Sequence, residues 1–226
     1  MALRIVQIWF DDASRQNCFD DPAVTLRHNQ ERTHYWENQV ILELAPYTAE
    51  HVGVWSHAAL RKIQRDGTRD FSLEVLKRIC EVGGFDVLGF HHVLRRQVIL
   101  DDSVKVRFDA MFDYLMRQLG VDFSSRIHPR FNILQNHFIA TREVMNDYCK
   151  FLKKAVSVME GDERLKQELW QRAPYKLDSG IHYTYHPFIC ERLISAYLHL
   201  NPELRCRYYK YRAAGLARAA SAAQRK

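Results

Sequence analysis

The chain lacks most of the short motifs that announce a chemistry. Its five cysteines (18, 80, 149, 190 and 206) are odd in number, scattered and never spaced C-x-x-C, which argues against a disulfide framework and a zinc knuckle. There is no G-x-S-x-G elbow, no G-x-x-x-x-G-K-[ST] loop and no G-x-G-x-x-G turn, so hydrolase, ATPase and dinucleotide readings lose their usual support. Eleven histidines invite a metal, but chelating spacing is missing. His91 and His92 are adjacent and would face opposite sides of a strand, and Pro187 opens a helix only after His182 and His186. No apolar run is long enough to span a bilayer. The start, MALRIVQIWFDD, lacks the apolar segment and cleavage site of a secretory leader, so a cytoplasmic protein is expected.

An excess of one charge is missing too, once the chain is divided. The formal net charge is +6, yet residues 202–226 hold seven of the 33 basic and one of the 27 acidic residues, so the rest carries 26 of each. A nucleic-acid-binding domain carries its basic face on the fold itself, and no nucleic-acid partner is expected. The tail interleaves its cations with Tyr208, Tyr209 and Tyr211. It suits an anionic membrane surface, and equally a frayed, solvated helix. A hydrophobic content of 47% and an aromatic content of 12% fit one folded domain over residues 1–201, followed by a basic tail over 202–226.

What is present is an alternation. LRIVQIWF (3–10) and HVGVWSH (51–57) are apolar, β-branched and aromatic, and predict strands. Between them, residues 11–32 are polar and predict a long loop, and THYWENQVILELA (33–45) predicts a helix with Trp36, Val40 and Leu44 on one face. FSLEVLKRICEVGG predicts a helix stopped by Gly83-Gly84, and Phe85 to Phe90 a buried strand broken by Asp86 and Gly89. A helix with Phe108, Met111, Phe112, Leu115 and Leu119 on one side follows, then a strand over 131–140 and a long helix from Thr141. The last helix begins at HPFICERL. Strands alternating with helices imply an α/β fold with a mainly parallel sheet flanked by helices. Ligands of such sheets bind outside the carboxyl ends of the strands, which singles out Trp55, Ser56 and His57 and the stretch HHVLRR at 91–96. The guanidinium forks of Arg95 and Arg96, with His91 and His92, suit the oxygens of a diphosphate. Asn136 and His137, an amide and an imidazole on the next strand, suit sugar hydroxyls.

Five segments carry a resemblance: YWENQV, HVGVWSH, VLGFHHVLRR, NHFIATREVMNDYCKFLKKAVSVME and HPFICERLISAYL, over about residues 33 to 200. In order and spacing they resemble the bacterial capsular-polysaccharide-synthesis family of glycosyltransferases. The matching positions are Tyr35, Trp36, Gly89, His92, Arg95, Arg96, Asn136, Phe138, Ile139, Tyr148, Cys149, Leu152, Glu191, Arg192 and Leu193. The family's tighter H-Y-R-R is spread here as HHVLRR. The resemblance implies a GT-A-like fold and transfer of a hexosyl group from a nucleotide-diphosphate donor to a glycan or lipid-linked glycan acceptor of a bacterial surface polysaccharide. It implies a cytoplasmic enzyme, at most peripheral on the inner face of the cell membrane. The candidate catalytic base in such a fold is Glu191, and the candidate contacts to donor or acceptor sugar are Trp55, His57, Asn136, His137, His186 and Arg192.

Metal-dependent GT-A enzymes hold manganese or magnesium with D-x-D, and the sequence has only the adjacent pairs Asp11-Asp12, Asp20-Asp21 and Asp101-Asp102. His91, His92, Arg95 and Arg96 are therefore expected to replace the ion as the clamp on the leaving diphosphate. The rival expectation is a non-catalytic glycan-binding or scaffolding protein that keeps the fold.

Overall fold

The computed structural model describes residues 3–29, 37–65, 71–90, 105–121, 133, 136–176 and 182–209. Two facing sets of side chains organise them. Along β1 (Leu3–Trp9), Leu3 and Ile5 point to one face of the sheet while Val6 and Ile8 point to the other, as the period-2 geometry of a strand demands. β3 (His51–Ser56) and β4 (Val87–Gly89) divide in the same way. Both faces of the sheet are thus apolar, and helices cover both.

Among the described residues the central sheet has six strands in the order β2-β1-β3-β5-β4-β8, where β2 is Val24–His28, β5 is Phe138–Thr141 and β8 is Cys206–Tyr208. Only β5 runs against the others. One face is covered by α3 (Ala59–Arg65) and α4 (Leu73–Val82), which bury Ile63, Leu76 and Ile79 with Trp55 and Leu88. The other carries α2 (Glu37–Glu43), α5 (Lys105–Gln118), α6 (Arg142–Gly161) and α8 (His186–Leu200) around Val54, Phe138, Tyr148 and Leu193. α1 (Asp12–Arg15), α7 (Glu163–Leu169) and a hairpin of β6 (Arg172–Lys176) with β7 (His182–Thr184) complete a single α/β domain. The mainly parallel α/β sheet expected from the alternation is what forms. Among the described residues no helix is long and apolar enough to cross a membrane.

Several details depart from the sequence expectation. The stretch 11–32 is not all loop. Asp11 caps α1, accepting the Ser14 N–H at 2.7 Å, and β2 pairs in parallel with β1. β2 is an edge strand with mostly exposed side chains, so its residues carry no apolar alternation to betray it. Of the strand expected over 131–140, β5 begins at Phe138, Asn136 and His137 precede it outside the strand, and 131, 132, 134 and 135 lie outside the described residues. The tail expected from residue 202 instead contributes β8, and Tyr209 is buried among aromatic rings of the α3/α4 face. Asp86 explains this. Its carboxylate accepts the Arg205 backbone N–H at 2.7 Å and both Nε and Nη2 of that side chain at 3.0 and 2.7 Å, which fastens β8 to the start of β4.

Candidate functional site

The chain leaves β1 for β2 on one side and reaches β3 on the other, so the carboxyl ends of β1 and β3 frame the point where the strand order reverses. In open α/β sheets that is where a crevice forms. Phe10 and Asp11 leave β1 there, and Ser56 and His57 leave β3. The two ends are tied together. The buried Gln7 amide donates to the Ser56 and His57 carbonyls at 3.2 and 3.3 Å and accepts the Phe19 N–H at 2.8 Å, and the Phe10 and His57 rings meet edge to face at 4.8 Å.

Because β5 is antiparallel, its first residues arrive at this same rim. Asn136 and His137 precede it, both fully buried. The Ser56 Oγ lies 3.3 Å from His137 Nε2, and the His137 carbonyl accepts the Phe90 N–H at 3.1 Å, which links the ends of β3, β5 and β4. Asn136 adopts φ 54°, the one non-glycine residue with positive φ among the described residues. Its side-chain Oδ1 and Nδ2 are buried with no hydrogen-bond partner.

α8 brings the remaining chemistry. It ends near the amino end of β4, where Arg205 meets Asp86, so its first turns lie at the rim. The Ser195 hydroxyl exchanges hydrogen bonds of 2.9 Å with the Ile133 N–H and carbonyl, three residues before Asn136. One turn above Ser195 stands Glu191. Burial pushes its carboxyl up, against the opposing pull of Arg192 and Lys62. Glu37, the first residue of α2, is pushed up to about 7, mainly by burial and then by the neighbouring Glu191 charge; Lys62 on α3 opposes this. Both carboxylates are enclosed by protein, yet both side chains keep partial solvent access. α2 is held in place by the Tyr148 hydroxyl on the buried Asn38 amide at 3.4 Å and by the Cys149 thiol on the Ile41 carbonyl at 3.7 Å.

The residues expected to form a site divide into three groups. Glu191, His57, Asn136 and His137 belong to elements that meet at this rim. His186 is buried at the start of α8, with Nδ1 3.1 Å from the Thr184 Oγ1 and its ring edge-on to the exposed Trp170 at 5.1 Å. Arg192 is also buried; it donates to the Phe188 carbonyl and its guanidinium lies 4.5 Å from the Phe108 ring centroid. Trp55 is corrected: it is wholly buried, donates its indole N–H to the Phe138 carbonyl at 2.9 Å and packs against Phe90 and Phe71. It is a core residue between β3 and β5, since its side chain faces the α3/α4 layer and not the rim. His91, His92, Arg95 and Arg96 lie outside the described residues, as do Tyr35 and Trp36.

Glu37 and Lys62 escaped the sequence reading. An acidic residue at a helix start reads as a partner of the helix dipole, and a lysine beside Arg61 reads as a solvated charge. Neither type announces burial. Among the described residues no group of three or more His, Cys, Asp or Glu side chains converges as metal ligands. Compared with family models, with curated proteins and with solved structures, the chain matches none.

Proposed function

We propose that the chain is a GT-A-like glycosyltransferase that moves a hexosyl group from a nucleotide-diphosphate donor to a glycan of a bacterial cell surface. The observation that carries the reading is Glu191. It is a half-buried carboxylate in the first turns of α8, raised from its ordinary range by burial against the lowering influence of the Arg192 and Lys62 charges. A carboxylate so placed has the basicity to take a proton from a sugar hydroxyl as that hydroxyl becomes nucleophilic. The acceptor oxygen forms its bond to the anomeric carbon, Glu191 receives the hydroxyl proton, and the bond from the anomeric carbon to the diphosphate oxygen breaks. The leaving nucleoside diphosphate carries away the electron pair. In the absence of D-x-D, His91, His92, Arg95 and Arg96 are the clamp on that growing charge, in place of a metal. The lipid-linked or free glycan enters opposite, and the enzyme works in the cytoplasm.

A thermal-shift panel of UDP, GDP, CMP and dTDP, each with and without manganese, tests the reading. Stabilisation by one nucleotide without metal is expected. Stabilisation only with manganese would keep the transferase and remove the side-chain clamp. No shift with any of them, nor with the intact nucleotide sugars, would replace the enzyme by a glycan-binding or scaffolding protein.

A further inference from the structure

Asn136 is the residue the fold does not explain. It adopts a left-handed backbone, φ 54°, which glycine occupies at no steric cost and which asparagine tolerates better than most other residues. The turn it makes is local: its own carbonyl accepts the Phe138 N–H at 3.0 Å, so the backbone alone directs the chain into β5. A glycine would serve that turn as well. What asparagine adds is a carboxamide, and the carboxamide is fully buried with neither atom hydrogen-bonded. Buried polar groups are nearly always paired, and an unpaired one weighs against folding.

The neighbouring polar groups are already matched with one another. Ser56 Oγ meets His137 Nε2, the Phe138 carbonyl takes the Trp55 indole, the His137 carbonyl takes the Phe90 N–H, and Gln7 takes the carbonyls of Ser56 and His57. Continuing the β3–β5 register brings Ser56 level with Asn136, so the unpaired amide lies at the rim, one strand beyond the β1/β3 reversal point. Three residues upstream, Ile133 is held by Ser195 of α8, the helix that carries Glu191 one turn away. A left-handed residue and an unpaired buried amide at one rim position are two independent departures from what stability alone selects, and such departures collect at ligand sites.

We infer that the Asn136 carboxamide is the recognition group for the transferred sugar, offering one donor and one acceptor side by side to two adjacent hydroxyls of the donor hexose. The inference rests on the transferase reading and deepens it. A planar amide with both atoms unpaired matches a vicinal diol, since each hydroxyl can donate or accept. A nucleobase edge presents the same donor–acceptor chemistry. Position separates the two: the nucleotide belongs at the β1/β3 reversal, and Asn136 lies one strand beyond it, level with Ser56.

The test compares wild type with Asn136→Gly, which keeps the left-handed turn and deletes the amide, using UDP, UDP-glucose, UDP-galactose, GDP and GDP-mannose as probes in thermal-shift and calorimetric titrations. Asn136→Leu, close in shape to asparagine, is measured alongside in case the glycine variant does not fold. In wild type one nucleotide sugar is expected to bind more tightly than its own diphosphate. In the variants that sugar-dependent increment falls at least tenfold, the diphosphate binds as before, and the melting temperature without ligand is not lowered in Asn136→Gly. An increment that survives deletion overturns the inference and leaves the transferase standing. Loss of diphosphate binding instead assigns the amide to the nucleotide and overturns the sugar assignment. A glycine variant that folds but melts well below wild type without ligand makes the amide a structural group and overturns the inference. If no probe binds wild type, the transferase reading falls and takes the inference with it.

Discussion

Replacing Trp55 by phenylalanine separates a core role from a binding role. The sequence puts this tryptophan beside Ser56 and His57 at a strand end, where it invites a stacking role. The structure encloses it completely. Phenylalanine keeps an aromatic ring against Phe90 but loses the indole N–H that the Phe138 carbonyl accepts at 2.9 Å. The lost bond, with a buried carbonyl left unpaired, costs about 1–3 kcal/mol. The void left by the missing ring adds on the order of 1 kcal/mol, because neighbours collapse only in part. A total of about 3 kcal/mol corresponds to a fall in Tm of roughly 6–12 °C for a chain of this size. Calorimetric melts of Trp55→Phe at neutral pH read it directly, with nucleotide titration below the melting range as the second arm. Ligand affinity is expected to stay within about twofold of wild type, a difference under 0.5 kcal/mol. An unchanged Tm with a lost ligand shift would refute the reasoning and return Trp55 to the binding site.

Other outcomes follow from the same geometry. Gly53→Ala places a Cβ 2.6 Å from Ile139 Cδ1, 3.0 Å from Trp55 Nε1 and 3.1 Å from the Phe138 carbonyl; the isoleucine end can rotate but the carbonyl cannot, so overpacking of about 1–3 kcal/mol is expected in urea melts. Glu37 has its folded-state pKa raised to about 7, so the folded chain binds more protons than the unfolded chain between about pH 4.5 and 7, and stability contributed by this group declines as pH rises through that window. Glu37→Gln is therefore expected to raise Tm at pH 8 and to change it less at pH 5; an equal effect at both would contradict the burial of this carboxyl. Asp86 has the opposite sign. Hydrogen bonds from Arg205 lower its pKa, so its stabilising share is intact above the unfolded carboxylate range and is lost as pH falls through the folded value. Asp86→Ala should remove that acid dependence and loosen β8, seen as faster hydrogen exchange at residues 206–208, whereas unchanged exchange there would rule out the Asp86 latch.

The legible part of the fold was the part with two-sided burial. β1, β3 and the helices α4, α5 and α6 carry apolar residues at strand or helix periods because both sheet faces are packed, and periodicity reports packing. β2 and β8 are edge strands with few buried side chains, so their sequences resemble loop and tail; β8 is fixed by one ion pair to Asp86, 119 residues away, which no local pattern encodes. The site was legible in the same uneven way. Asn136, His137, His57 and Glu191 stand out as polar residues at the ends of apolar segments. Glu37 and Lys62 do not, because their charges act on Glu191 from two other helices, a relation set by tertiary packing alone. Trp55 misled because strand ends alternate, and one residue of offset turns a rim side chain into a core one.

The most direct measurement of the central claim is nucleotide release by Glu191→Gln. The nucleotide sugar that stabilises the wild type serves as donor, with bacterial glycan as acceptor, and release of its nucleoside diphosphate is followed alongside binding. A base at Glu191 predicts unchanged donor binding with turnover reduced by about a hundredfold or more. Full turnover in Glu191→Gln, with binding intact, would contradict the account.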